Sequence, residues 1–513
     1  MRCGVGEERD YRPDDVSNRR DGLVMKRLLL ALWCAAVLAG CGGGGGTTYV
    51  APLPQNPPYV VPPGMTAFWA VNLTTNTPYQ TSAAKVAEGV HCYVYLEQGM
   101  TVSQATIDAI RDEFDTNIYP HITAAFGGEP NPGVDNDPKL YILLLNIRDG
   151  FSYPTSPTYI AGYYDPNSEY LTSQYVYSNQ KEIFFMNVNP ALGHSFAPGS
   201  TDFYRVLAHE FQHMVHWEQK THQRGVMDDT WLDEGMAQVA QTYCGYGADY
   251  DAVYTFENAP SNSLTVWNDT VDDYGVVYMW AQYYKDRVGS DIFFRMLHNS
   301  LTGIASVNSA LSAAGYPKDF TGTFRDWAVA NYYGDGTTVS IPAGHAEWSY
   351  TSINTWPGTH NGILLPGLFP ASRQNLLSLS KLDPWSLGFY SYTPGTPPTG
   401  SVAWTPNVAT EKGTLVDAGS GAVTYDMTSG VTYGYTTQGY LMVQNPTGSA
   451  TPGGDTVVRT SVATTAQLLA AANASPSVRA MVAETGKPQR IDIGPSLRDR
   501  EKGMRAQGMR PQF

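Results

Sequence analysis

The 513-residue sequence predicts an α+β protein, in which a mixed sheet and a set of helices are followed by a C-terminal β domain. Two continuous apolar runs of strand length, 139–147 and 182–188, predict buried strands. Apolar residues recur at helical spacing in five segments between residues 201 and 330, which predicts the helices. After Gly334, short alternating runs rich in Gly, Thr and Ser predict the β domain.

The composition narrows the class of protein. A net charge of −15 excludes nucleic acid as the main partner, because phosphate binding requires a basic surface. Only 5 Cys exclude a disulfide-dense scaffold. A 42% hydrophobic content is enough to form buried cores, so wholesale disorder is excluded as well. The oligomeric state does not follow from these numbers.

The N-terminal region predicts export. Lys26 and Arg27 precede an uncharged, mostly apolar run over 28–38 and then small residues, which is typical of a secretory signal that begins at Met25. The apolar run is too short to span a bilayer core of about 30 Å as a permanent helix.

The end of this signal resembles the lipobox of bacterial lipoproteins. The resemblance rests on Leu38-Ala39-Gly40-Cys41 and implies lipidation of Cys41 and membrane attachment through that lipid. Ordinary secretion with an incidental cysteine is the alternative. Gly42 stands where an Asp retains many lipoproteins at the inner membrane, so the outer membrane or the cell surface is favoured.

Composition shifts divide the chain into five segments. They are an N-terminal extension with the signal peptide (1–40), a Gly/Pro-rich tether (41–64), the sheet-and-helix domain (65–335), the β domain (336–470) and a tail without predicted order (471–513). Beyond Cys41, the exported chain keeps Cys92 and Cys244, and the sequence leaves open whether these two pair.

A HEFQH motif within the predicted helix 201–220 carries the chemistry. His209 and His213 are four residues apart, so both imidazoles project from one helix face and can converge on one Zn²⁺. Glu210, beside the first histidine, can act as a general base toward a zinc-bound water. The alternative is a helix face with hydrogen-bonded histidines and no metal.

A catalytic zinc needs a third protein ligand. His216 is disfavoured, because seven residues separate it from His209 by about 10.5 Å along a helix. Glu234 lies on the next predicted helix, which can pack antiparallel to the first, and zinc would compensate its buried charge. The predicted centre is therefore one catalytic zinc ion on His209, His213 and Glu234.

The stretch LAHEFQHMVHWEQK followed by DTWLDEGMAQ resembles the hyicolysin-type zinc metallopeptidases, within the gluzincin group. The resemblance extends from about residue 68 to 333. It implies a gluzincin-like fold for 65–335, the same three zinc ligands, Glu210 as catalytic base and a polypeptide substrate. Gln238 stands where thermolysin-like enzymes have an Asp that supports a histidine. The GxMEN motif of the gluzincin aminopeptidases is missing, which favours cleavage within chains.

The expected function is thus that of an exported, lipid-anchored zinc metalloendopeptidase, in which Glu210 activates a zinc-bound water. A strand within 160–188 is expected to bind the peptide as an added β-strand. Tyr274, Tyr278 and His222 are candidates for stabilising the oxyanion, and the sequence assigns none of them. Two alternatives are a lipid-anchored binding protein with a degenerate or structural zinc site, and a hydrolase of non-peptide amides.

Overall fold

The computed structural model describes residues 59–152, 155–156, 158–268, 270–369, 382–392, 399–446 and 489–491. The described residues from 61 onward belong to one compact unit. Within the described ranges, no helix has both the length and the apolar character needed to cross a membrane. Cys41 and the signal peptide lie outside these ranges, as do most of the tether and most of the tail.

A six-stranded mixed sheet forms the base of the N-terminal half. The first seven strands are β1 (Thr66–Asn72), β2 (Thr77–Glu88), β3 (Cys92–Glu97), β4 (Leu140–Leu145), β5 (Thr158–Ile160), β6 (Gly162–Tyr164) and β7 (Ile183–Asn187). The order across the sheet is β1-β2-β3-β4-β7-β6. β4 runs parallel to both its neighbours, whereas β6 is antiparallel to β7. Among the described strands, β6 therefore forms one edge.

The two predicted buried strands are confirmed. Every residue of β4 and of β7 is buried. These strands lie side by side in the middle of the sheet, with side chains covered on both faces, so their sequences are continuously apolar rather than alternating.

Nine α-helices occur in the described residues. They are α1 (Gln104–Glu113), α2 (Tyr119–Phe126), α3 (Thr201–His216), α4 (Thr230–Tyr243), α5 (Tyr250–Asn258), α6 (Val271–Arg287), α7 (Ile292–Leu297), α8 (Gly303–Ala313) and α9 (Phe320–Tyr333). The five helices predicted between 201 and 330 are present, although the sequence pattern of α7 continues to Leu301, four residues beyond the end of the helix. The sequence did not reveal α5 and α8, because α5 is short and α8 is rich in Ala and Ser, which blur the apolar period.

Helix α3 begins directly after a capping residue, Ser200, which agrees with the predicted start at residue 201. The Ser200 side chain accepts a hydrogen bond from the Phe203 amide at 3.2 Å, which satisfies one of the free amides of the first turn. At its other end, α3 continues into a π-helical turn, Trp217–His222.

Short strands dominate the chain after α9. They are β8 (Gly358–His360), β9 (Ile363–Leu365), β10 (Leu387–Tyr392), β11 (Thr399–Ala403), β12 (Lys412–Asp417), β13 (Val423–Thr424), β14 (Thr432–Thr436), β15 (Gly439–Gln444) and β16 (Gln489–Ile491). Four of them form a sheet in the order β10-β15-β12-β13, and β16 pairs in parallel with β5.

The helices and the later strands share one hydrophobic core, which includes residues from Cys92 to Met442. For example, the ring centroids of Phe320 in α9 and Trp385, just before β10, lie 4.7 Å apart. The division into domains at residue 335 stays a prediction. Cys92 and Cys244 are both buried and free.

Candidate metal centre

Helix α3 lies between the sheet and α4. Its residues from Val206 to His216 are all buried, so both flanks of the helix are covered by protein. On the sheet side it packs against β6, where a Cβ atom on Gly162 would come within 2.9 Å of the Val206 side chain. On the other side it packs against α4. The HEFQH motif is thereby held on a rigid, buried helix.

Three side chains from α3 and α4 converge. The Nε2 atoms of His209 and His213 are 3.0 Å apart, and each lies 3.5 Å from Oε2 of Glu234. All three residues are buried, Glu234 completely. In the described part of the chain, this is the one group of three His, Cys, Asp or Glu residues with ligand atoms mutually within 4.8 Å.

The triangle of ligand atoms fits a tetrahedral zinc ion. Metal–ligand bonds of about 2.0–2.1 Å at tetrahedral angles place ligand atoms about 3.3–3.4 Å apart. The observed separations of 3.0, 3.5 and 3.5 Å bracket that value. A carboxylate with no exposed surface also requires a nearby positive charge, which a divalent cation supplies.

Glu210 follows His209 directly on α3 and is 3% exposed. Adjacent helical residues are rotated by about 100° around the axis, so Glu210 leaves the helix in a different direction from the His209 imidazole. Glu210 is therefore next to His209 in the sequence, but its carboxylate does not belong to the group of three converging side chains.

A network of ionisable groups with little exposed surface extends from His213. Oδ1 of Asp233 lies 2.8 Å from Nδ1 of His213 and 3.1 Å from Nδ1 of His216. Oδ2 of Asp228 lies 3.6 Å from Nε2 of His216 and 3.4 Å from Nζ of Lys220. The sequence disfavoured His216 as a zinc ligand, and it did not identify the partners of His216 or of Asp228.

The ionisable groups of this network stabilise one another's charged forms. Burial by itself raises the pKa of Asp228, but contact with His216 and the charge of Lys220 bring that pKa below its ordinary value. Burial lowers the pKa of His216, and the nearby Asp233 outweighs it, so the net pKa is raised. A signal for this arrangement was present in the sequence, since His213, His216 and Lys220 recur at helical spacing on one face.

The three candidates for oxyanion stabilisation each have other partners. The Tyr278 hydroxyl, which is fully buried, accepts a hydrogen bond from the Asp249 amide at 2.8 Å. The ring of Tyr274 packs edge-on against Trp267. His222 stacks on Trp217, and its Nδ1 lies 2.6 Å from the Glu218 carboxylate. Their role in catalysis stays unassigned.

The chain is similar to a neutral metalloprotease, ShpI, from Staphylococcus hyicus. The two are 30% identical over 271 residues, which make up 50% of this chain and 60% of that protein. The chain thus matches about three fifths of the length of this relative. No protein-family model matches the chain. The similarity supports a metallopeptidase family and, with the buried His-His-Glu group, a metal ion.

Proposed function

We propose that the chain is a zinc metalloendopeptidase of the gluzincin group, with His209, His213 and Glu234 as zinc ligands and Glu210 as catalytic base. The observation that carries the proposal is the convergence of three ligand atoms from α3 and α4, 3.0–3.5 Å apart, and Glu210, which directly follows His209 in the sequence, is buried. The similarity to a protein named a neutral metalloprotease supports the same reaction.

Each side chain has a distinct task in peptide-bond hydrolysis. A zinc ion, when bound, supplies Lewis acidity to the scissile carbonyl and acidifies water. The Glu210 carboxylate accepts the proton of the attacking water as the new carbon–oxygen bond forms. It then donates that proton to the amine nitrogen as the carbon–nitrogen bond breaks, so the carboxylate ends the cycle unprotonated.

The sheet edge next to the metal centre is the part of the fold where the sequence predicts an added β-strand of substrate. Strand β6 forms that edge in the described residues and packs directly on α3, which carries both histidines. An extended peptide can pair with an edge strand through main-chain hydrogen bonds. All three residues of β6 are buried, so β6 itself does not present a free edge, and binding of the peptide to a strand within 160–188 stays a prediction.

The N-terminal sequence supports a cellular location for the protein. The signal-like segment and Cys41 support an exported protein that is attached to the bacterial cell envelope through an N-terminal lipid, with the outer membrane or cell surface favoured. Mass spectrometry of the mature N-terminus tests this part independently of catalysis.

Casein degradation by the purified chain tests the catalytic proposal, with zinc content measured on the same samples. Replacing Glu210 with Gln removes the base and leaves the three ligands, so we expect activity to fall about 10²–10⁴-fold while zinc stays near one per chain. Bound zinc without cleavage in the wild type would instead support a binding protein, and no zinc in either sample would refute the ligand assignment.

A further inference from the structure

A turn between β6 and β7 exposes two apolar side chains to solvent. The Ser178 amide donates to the Tyr175 carbonyl at 2.9 Å, which closes a β-turn with Val176 and Tyr177 at its two central positions. Val176 is 65% exposed and Tyr177 is 40% exposed. Central turn positions usually carry Gly, Pro, Asn, Asp or Ser, so the formation of the turn does not account for an exposed Val-Tyr pair.

Two further rings extend this apolar surface. Trp69 on β1 is partly exposed and packs edge-on against Tyr177, with the ring centroids 4.9 Å apart. Tyr175 is also partly exposed, and its ring centroid lies 5.7 Å from that of Tyr177. We define Trp69, Tyr175, Val176 and Tyr177 as the aromatic turn patch. The sequence from 170 to 180 contains no charged residue, although the net charge of the chain is −15.

Hydrogen bonds hold the aromatic turn patch in place. The side-chain amide of Asn179 accepts from the Trp69 backbone amide at 2.8 Å and donates to the Trp69 carbonyl at 2.9 Å, which attaches the turn to β1. The Ser178 hydroxyl donates to the Ser168 carbonyl at 2.8 Å. The exposed side chains are therefore presented on an ordered backbone, so a binding partner would not have to order the turn first.

We propose that the aromatic turn patch docks on the surface of a lipid bilayer, an inference that does not depend on the metal centre. Trp and Tyr rings suit the headgroup level of a bilayer, because each combines an apolar body with one hydrogen-bonding group. Val176, at the tip of the turn, supplies an apolar side chain for the boundary with the acyl chains. A patch without charge can dock on neutral lipid, whereas an anionic surface repels a chain with a net charge of −15.

The point where the chain enters the fold favours a bilayer as the partner. Thr66 begins β1 and precedes Trp69 by three residues, or about 10 Å along a strand. If Cys41 carries a lipid, as proposed above, residues 42–65 join that lipid to Thr66. A flexible linker of this length spans about 25–30 Å on average. The lipid would therefore keep the aromatic turn patch close to the membrane surface, and docking would fix the orientation of the protein there.

Vesicle binding by the unlipidated protein tests the proposal separately from the lipid anchor and from catalysis. The exported chain is prepared without the signal segment and with Cys41→Ala, so that it carries neither a lipid nor the apolar run 28–38. Flotation with vesicles of phosphatidylcholine alone gives the partition coefficient. The variants are Val176→Asp and Tyr177→Ser. Val90→Asp is the matched control, because Val90 is a 72% exposed valine outside the patch.

We expect the partition coefficient to fall about tenfold or more in Val176→Asp, since burial of a valine side chain is worth about that factor and a carboxylate resists leaving water. Tyr177→Ser should also bind more weakly, and Val90→Asp should bind as the wild type does. Because the replaced side chains are exposed, circular dichroism should show the same fold in every variant.

Three results would overturn the proposal. One is a partition coefficient of Val176→Asp within about twofold of the wild type, or no flotation of the wild type. Another is binding to isolated peptidoglycan without binding to vesicles, which would assign the patch to a glycan. The third is a dimer that Val176→Asp dissociates in sedimentation, again without vesicle binding, which would assign the patch to a second copy of the chain.

Discussion

Lys220 anchors the outer end of the buried charge network, and its replacement by Met is the most direct test of that network. The ammonium has no exposed surface. Its Nζ lies 2.6 Å from the Leu301 carbonyl, 3.1 Å from the Asn299 carbonyl, 3.1 Å from the Ser306 hydroxyl and 3.4 Å from Asp228. Methionine fills a similar volume but removes the charge and the donors.

The expected loss follows from what Lys220→Met leaves behind. The side chain of Asp228 is 1% exposed, so its carboxylate would be left in a site without bulk water and without its cationic partner. Removing one partner of a buried ion pair costs about 3–5 kcal/mol. His216 also lies 3.6 Å from that oxygen, and the Gly303 amide still donates to the other one at 2.7 Å. These remaining contacts place the expected loss near the lower limit, about 3 kcal/mol.

Urea unfolding followed by circular dichroism, with a chelator present, measures the free energy of unfolding without a contribution from metal binding. Adding Asp228→Asn to Lys220→Met removes the stranded charge and should recover part of the stability. Lys85→Met is the control, because the pair between Lys85 and Glu88 is shorter, at 2.7 Å, but half exposed, and no measurable change is expected. Exposed ion pairs contribute up to about 1 kcal/mol. A loss below that value for Lys220→Met would mean that the buried pair is worth no more than an exposed one, and it would refute the reasoning.

Two further predictions concern β6 and α5. In Gly162→Ala, the new methyl group would lie 2.9 Å from Val206, so we expect a loss of about 1–3 kcal/mol in urea unfolding. Gly128→Ala, with nothing within 4 Å, is the control, and equal stability of the two variants would contradict the packing of β6 on α3. Burial raises the pKa of Glu257 to about 8 from an ordinary 4.5. Between these two pH values the folded protein keeps the proton on Glu257 while the unfolded chain has lost it, so the free energy of unfolding falls as the pH rises from 4.5 to 8. Glu257→Gln stays neutral, so its stability relative to the wild type should increase from pH 5 to pH 9. A difference that does not change with pH would contradict this assignment.

The sequence by itself determined the elements whose signals are local. The periodic apolar residues and Ser200 define α3, and the four-residue spacing places His209 and His213 on one face, whatever surrounds the helix. The convergence of Glu234 with the two histidines was also expected, because the predicted zinc site needs a third protein ligand and Glu234 lies on the next predicted helix. The continuous apolar run of β4 likewise indicates a strand covered on both faces.

Only the tertiary structure decided which groups support these elements. Asp233 and Asp228 look in sequence like ordinary acidic residues near a helix start, and their roles arise because α4 packs against α3 so that the side chains meet His213, His216 and Lys220. The sequence pattern of α7 indicates a helix up to Leu301, yet α7 ends at Leu297, and the carbonyls of Asn299 and Leu301 accept hydrogen bonds from Lys220. A buried charge needs partners within a few ångströms, and which partners lie that close depends on the packing of distant segments.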